Sequence, residues 1–294
     1  MAARFNADLV DDVAQQRFVL FVGSGASKWA QPNGGGNFKD WIGFLKEANK
    51  KLKKNSKPQK IVDSLINQQD YLLASEVLKK NLDTGWESLL TQEFQQAADI
   101  SRLHKALIGL KPRIIVTTNF DKLIEGAWGL GSHDRYPTVI SKIDSEAFKL
   151  FRSEENYLIK LHGSIDEPKG IVFDKTSYQS GAFGNPYYSE ILSVLLLTHT
   201  FIFIGFSMTD PAVSLVVENA AYRYKSTRPH YIFQAGTPVA EVDEMWRQFR
   251  KLYVLRYPDV NKHEALATKL EQLAVEAARR RIEIIASRVG KNAI

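Results

Sequence analysis

The chain contains no cysteine. Disulfides, thiolate nucleophiles and cysteine-held zinc are therefore excluded together. Histidine is sparse: the six residues at positions 104, 133, 162, 199, 230 and 263 are scattered, and none has the close His/Glu spacing of a zinc-binding helix. No metal site is expected. Long apolar runs are also missing, and none approaches the roughly 20 residues that a membrane-spanning helix needs. The segment Met1-Ala2-Ala3-Arg4-Phe5-Asn6-Ala7-Asp8 has an early acid and no signal-like apolar core. Together these absences predict a cytoplasmic protein that does not engage a membrane. No tract is of low complexity or has a disordered composition.

Charge is nearly balanced, with 39 basic and 33 acidic residues and a net charge of +6. The lysines between Lys50 and Lys60 and the arginines Arg279, Arg280 and Arg281 have no aromatic residues interleaved as base-stacking platforms would be. They read as solvated faces, so nucleic acid is not directly indicated.

Hydrophobic residues make up 44% of the 294 residues, enough for a substantial core. The order of patterns predicts one α/β unit over 1–294. Phe5, Leu9 and Val13 share a helical face, and Arg17-Phe18-Val19-Leu20-Phe21-Val22 is a continuous apolar run closed by Gly23. Unbroken runs of this kind suit parallel strands covered on both faces. From Asn37 to Leu110 the pattern turns helical, with Trp41, Leu45, Ala48 and Leu52 in register, then stretches around Val62–Ile66, Tyr71–Leu78 and Trp86–Phe94. This predicts a helical module, 37–110, inserted in the sheet. Strand patterns resume at Arg113–Thr118, Tyr157–Leu161, Thr200–Ile204, His230–Phe233 and Leu252–Leu255, giving six strands in all, and Glu264 to Arg288 reads as a packing helix. Strands separated by helical patterns predict a doubly wound parallel sheet whose ligands lie beyond the carboxyl ends of its strands.

Four of those ends are chemically furnished. Gly23-Ser24-Gly25-Ala26-Ser27 has the small residues that let backbone N–H groups approach a phosphate, and a following helix would add the positive end of its dipole. It could equally be a tight turn, and it lacks the Gly-Lys-Ser/Thr of a Walker loop. Thr117-Thr118-Asn119-Phe120-Asp121 offers two hydroxyls, an amide and a carboxylate. Asn119 can hold a water or a ribose hydroxyl, yet Asn and Asp are also favoured as helix caps. Leu161-His162-Gly163-Ser164 ends an apolar strand on an imidazole able to accept a proton near neutrality, where a lone histidine can also be purely structural. Gly205-Phe206-Ser207-Met208-Thr209-Asp210 ends the fourth, with Asp210-Pro211 as a helix cap followed by proline at the first helical position. One such ending has a bland explanation; four together point to a ligand site.

Taken in order over roughly residues 15 to 235, these motifs resemble the sirtuin superfamily, and in particular its bacterial antiphage-defence branch. Gly23-Ser24-Gly25-Ala26-Ser27 is similar to the NAD loop, Thr117-Thr118-Asn119-Phe120-Asp121 to the Thr-Gln-Asn-φ-Asp segment, His162-Gly163 to the His-Gly pair, and Gly205-Phe206-Ser207 to the Gly-Thr-Ser-like loop. The resemblance implies a Rossmann-like α/β fold and NAD as substrate. It implies that Asn119 orders water and ribose, that His162 is base toward a ribose hydroxyl, and that Asp121 contacts the nicotinamide side. Ser24, Ala26, Ser27 and Ser207 would bind the phosphates and adenosine ribose, with Gly23, Gly25, Thr118, Gly205 and Phe206 completing the cofactor-binding set.

The chain also departs from the deacylating sirtuins. Their four-cysteine zinc ribbon has no counterpart here, and Thr118 stands where they place glutamine. The expected activity is therefore an NAD glycohydrolase releasing nicotinamide and ADP-ribose in antiphage defence. An NAD-dependent protein deacylase and a noncatalytic sensor of NAD or ADP-ribose are the alternatives. The same resemblance implies work inside a homo-oligomer or beside a partner subunit from a defence operon.

Overall fold

Alternation along the buried strands assigns each side chain to one of two cores. Val19 and Phe21, Ile114 and Val116, Tyr157 and Ile159, and Phe201 and Phe203 face one side of a sheet. Phe18, Leu20, Val22, Ile115, Leu158, Ile202 and Ile204 face the other. Both sides are apolar because both are covered, as a parallel sheet requires. Each large side chain buried in this way contributes roughly 1.5–3 kcal/mol.

A computed structural model describes residues 5–28, 30–35, 37–131, 136–259 and 264–291. His133 and His263 lie outside the described residues, as does the start of the N-terminal segment, residues 1–4. The chain begins with α1 (Ala7–Ala14), β1 (Phe18–Val22), a short helical turn α2 (Ser24–Ser27), β2 (Gln31–Pro32), α3 (Trp41–Asn49), α4 (Lys57–Asn67), α5 (Tyr71–Leu82) and α6 (Thr84–Phe94). It continues with β3 (Ala98–Asp99), α7 (Arg102–Gly109), β4 (Ile114–Thr117), α8 (Leu123–Leu130), β5 (Thr138–Ile140), β6 (Tyr157–Lys160), α9 (Lys175–Tyr178) and α10 (Pro186–Thr198). The last elements are β7 (Thr200–Ile204), α11 (Pro211–Arg223), β8 (His230–Ala235), α12 (Ala240–Arg250), β9 (Leu252–Tyr257) and α13 (Glu264–Lys291).

Seven strands form the main sheet in the order β5-β6-β4-β1-β7-β8-β9. Every pairing in it is parallel. The chain leaves β1 for β4 and the strands beyond it, then crosses back to β7 on the other side of β1. Strand order reverses there, and the crevice outside the strand ends opens at that reversal. Helices α1, α7, α8 and α13 pack on one face, and α10 and α11 on the other.

The sheet has one strand more than the six expected. β5 is a three-residue edge strand, largely exposed, and pairs only with β6. It is too short for an alternation to register. A separate antiparallel pair, β2 with β3, brackets the α3–α6 region.

Helices α3 to α6 build their own core around Phe44, Leu45, Trp86, Leu90 and Phe94. That core continues into the strand-end loops through edge-to-face aromatic pairs, Phe94 with Phe120 at 5.3 Å and Phe120 with Phe173 at 5.5 Å. Within the stretch 37–110, α7 packs differently: Leu103, Leu107 and Ile108 belong to the sheet's own flanking layer. Capping starts these helices at polar residues, Asp40 accepting the Gly43 N–H and Ser101 accepting that of His104.

Candidate active site

Four strand ends converge at the reversal of strand order, and glycine is what lets two of them touch. A Cβ on Gly23 would lie 2.5 Å from the Gly205 carbonyl oxygen, and one on Gly25 would lie 2.8 Å from it. Gly205 has φ +62°, and its own Cβ would meet the Ala26 nitrogen at 2.5 Å. The loops after β1 and β7 are thus in backbone contact, sealed by Gly25 N–H donating to the Gly205 carbonyl at 2.9 Å.

This packing corrects one expectation. The Gly23 and Ala26 N–H groups are also engaged, with the Ile204 and Gly23 carbonyls at 2.9 and 3.0 Å. The glycines therefore serve the approach of one loop to another, and these three N–H groups are not free for a phosphate. The following helix, α2, has only four residues, too few to add an appreciable dipole.

Asn119 is placed by a chain of hydrogen bonds. Its Nδ2 donates to the Gly23 carbonyl at 3.1 Å and to Ser27 Oγ at 2.9 Å, while Ser27 Oγ donates to Asp121 Oδ2 at 2.6 Å. A carbonyl can only accept, so the amide orientation is dictated, and Oδ1 is left buried with no partner among the described residues. Asp121 Oδ1 accepts the Leu123 N–H at 3.1 Å, a local turn just ahead of α8, whose N-cap position is taken by Lys122. Below the loop, the buried Lys160 ammonium donates to the Phe120 and Asp121 carbonyls at 3.1 and 2.6 Å and pairs with Glu125 at 2.8 Å.

His162 follows β6 and is buried, and Gly163 behind it has φ +84°, with a Cβ position 2.8 Å from the Gly170 carbonyl oxygen. Its Nε2 lies 3.3 Å from the Tyr188 hydroxyl and 3.4 Å from Asp210 Oδ2. Burial lowers the imidazole pKa from its ordinary value, and the Asp210 charge opposes that shift. The shift favours the neutral imidazole over the cation at neutral pH.

The cleft has an inner and an outer chamber. The inner one, about 100 Å³, is lined by Asn119, Asp121 and His162 with Ser27, Thr118 and an aromatic wall of Trp41, Phe94, Phe120, Phe173 and Tyr178. The outer one, about 420 Å³, adds Gly25, Lys28, Tyr71, Phe233 and Gln234. Ser24, Trp41, Gly205, Phe206, Ser207 and Thr209 border both, so the two are continuous. Ser24 and Ser207 are exposed to the cleft, whereas Gly23 and the fully buried Ala26 line neither chamber. A larger groove of about 620 Å³ between α11 and α12 lies away from these strand ends. Among the described residues no group of three His, Cys, Asp or Glu side chains could hold a metal ion.

Sequence patterns left several cleft residues out. Trp41 reads as an ordinary apolar helix position, yet it stands at the start of α3 and faces the cleft. Asp210 reads as a helix cap, which it is, but it also faces His162. Tyr178 and Tyr188 carry no sequence signal at all, because only the fold brings them to the imidazole.

Residues 113–257 match the model of the SIR2-like domain. β1 and its glycine loop precede that span. Among curated proteins the chain is 24% identical over 232 residues to the NAD(+) hydrolase ThsA of Bacillus cereus (strain MSX-D12), covering 77% of this chain and 45% of that protein. It is 28% identical over 216 residues to the NAD(+) hydrolase ThsA of Cytobacillus dafuensis, covering 73% and 40%. To Defense-associated sirtuin 2 of Bacillus subtilis it is 21% identical over 239 residues, covering 79% and 22%. The chain spans less than half the length of these relatives. With its parallel sheet and its cleft at the strand reversal, the chain is similar to the SIR2-like domain over residues 113–257 and, at 21–28% identity, to bacterial NAD(+) hydrolases and a defence-associated sirtuin.

Proposed function

We propose that this chain hydrolyses NAD at the nicotinamide–ribose bond. The observation that carries the reading is Asn119 Oδ1, a buried acceptor with no partner among the described residues, in the same chamber as the neutral base His162. A buried acceptor left unpaired costs about 1–3 kcal/mol, which a ribose hydroxyl or an ordered water would recover. That the relatives are named NAD(+) hydrolases supports NAD as the molecule that supplies this partner.

The chemistry needs little more. As the C1′–N bond breaks, its electron pair leaves with neutral nicotinamide and the ribose becomes oxocarbenium-like. A water oxygen then bonds to C1′, and the proton it loses passes to the His162 imidazole and on to solvent. Asn119 holds the water or ribose hydroxyl in place, so that binding supplies the orientation. Asp121, committed to Ser27 and Leu123, acts by fixing Asn119 and the wall on the nicotinamide side. The aromatic wall of the inner chamber suits a flat leaving group, and the Ser24 and Ser207 hydroxyls flank the path of the phosphates and adenosine ribose into the outer chamber. Ser27 serves as the link between Asn119 and Asp121, and Ala26 as loop packing.

In a cell this activity would drain NAD, and we assign it to the cytoplasm, to defence against phage, and to an assembly of copies or a complex with a subunit from the same operon. Among the described residues no helix is long and apolar enough to cross a membrane.

Nicotinamide release from NAD by the purified protein, alone and with neighbouring gene products or phage components added, tests the reading. Asn119→Ala and His162→Ala should each slow release by about 100-fold or more. Release that survives both substitutions, or that appears in no condition, removes the proposal. Release only in the presence of an acyl-lysine peptide assigns a deacylase instead.

A further inference from the structure

Asp210 has no part in the chemistry above, and its surroundings give it more than the capping role that its place before Pro211 predicts. The side chain is 7% exposed. Oδ1 accepts the Val213 N–H at 3.0 Å, which caps α11. Oδ2 accepts the Tyr178 hydroxyl at 2.5 Å and lies 3.4 Å from His162 Nε2. The groups facing the imidazole are thus Asp210 at the start of α11, Tyr178 on α9 and Tyr188 on α10.

Burial and the charge of Asp210 push both tyrosine hydroxyls well above their ordinary pKa, so each keeps its proton. Tyr178 is itself fixed from two sides. Asp174 caps α9 through a reciprocal bond with Ser177, and the same carboxylate pairs with Lys79 of α5 at 2.9 Å. The helical module thereby reaches the imidazole through Lys79, α9, Tyr178 and Asp210.

Nε2 is hydrogen-bonded to the Tyr188 hydroxyl, which can donate or accept, and lies 3.4 Å from the Asp210 carboxylate, whose charge repels a lone pair on Nε2 and attracts an N–H. Among the described residues Nδ1 makes no hydrogen bond. We propose that Asp210 is a positioning residue that holds His162 as the Nε2–H tautomer, leaving the Nδ1 lone pair to take the proton and stabilising the imidazolium that results. The tautomer rests on the Asp210 charge beside Nε2; its use in catalysis rests on the hydrolase reading.

Nitrogen-15 spectra of the full chain labelled at histidine, with the His162 signal assigned by difference from His162→Gln, separate these two layers. The wild-type protein at pH 7 should show His162 with its hydrogen on Nε2. Asp210→Asn keeps a good helix cap. It should lose the tautomer preference and move the His162 titration to lower pH, because the charge that raises it is gone. NAD turnover should fall by roughly 100-fold, as a misplaced reacting group costs, with partial recovery in Asp210→Glu. A wild-type His162 protonated on Nδ1, or a mixture of tautomers, overturns the proposal whether or not the variant folds. An Asp210→Asn spectrum and titration identical to wild type do the same. A wild-type protein inactive on NAD but carrying the Nε2–H tautomer removes the hydrolase reading and leaves the positioning role of Asp210 standing.

Discussion

Lys160 shows how one residue can carry a loop. Its ammonium is 1% exposed and has three acceptors, two of them carbonyls of the segment that holds Asn119 and Asp121. Three donors on a compact cation match three acceptors, which is the condition for burying a charge without large penalty. Lys160→Met should therefore leave the Glu125 carboxylate and the Asp121 carbonyl without their buried partner, the Phe120 carbonyl keeping the Ile165 N–H, and cost about 3–5 kcal/mol of stability, read by urea unfolding. Adding Glu125→Leu should recover part of that loss. If Lys160→Met unfolds at the wild-type midpoint, the pairing holds nothing together. In sequence the lysine is an anomaly in an apolar strand, Tyr157-Leu158-Ile159-Lys160. The pattern marks it as buried, and nothing nearby in the chain names its partners, which lie 35 to 40 residues earlier.

At the scale of elements, the two glycine loops behave as one unit. Gly205 occupies a left-handed backbone region and stands against the Ala26 nitrogen, so a methyl group there meets backbone rather than a movable side chain. Gly205→Ala should separate the loops, cost on the order of 1–3 kcal/mol, and weaken NAD binding more than it alters the environment of Asn119. Calorimetry of NAD binding to the otherwise inactive His162→Ala protein, with and without the second substitution, measures this directly. Equal affinities would show that the loops can move apart without affecting the cleft. Six strands of the main sheet were legible from apolar runs, and the cap Asp210-Pro211 from local chemistry. β5 was not, because a three-residue edge strand has no period, and a glycine-rich strand exit does not say how short the helical turn behind it is.

For the whole molecule, buried histidines set the response to acid. His104 and His230 lie in the core and are held near a pKa of about 4, chiefly by burial, against an ordinary 6.5. Between those values the unfolded chain binds protons that the folded one refuses, so stability is full above pH 6.5 and is lost as pH falls toward 4. Each histidine contributes a slope of up to about 1.4 kcal/mol per pH unit in that window. Unfolding free energies measured at pH 7 and pH 5 should differ accordingly, and replacing His230 with Asn should flatten the slope. An unchanged stability over this range would mean that these rings take up protons without opening the fold.

The sequence by itself determined six of the main sheet's seven strands, the doubly wound order they imply, and the polar residues at four strand ends, because apolar runs, helical spacing and caps are local properties of a chain. It also excluded cysteine chemistry outright. Only the tertiary structure decided what those residues do to one another. The Gly25 donor was spent on Gly205 of a second loop, the Asn119 amide was oriented by a carbonyl of the first strand's loop, and His162 acquired Asp210 and two tyrosines as neighbours. These outcomes depend on which atoms meet at 3 Å across elements far apart in the chain, and no periodicity within one segment carries that information.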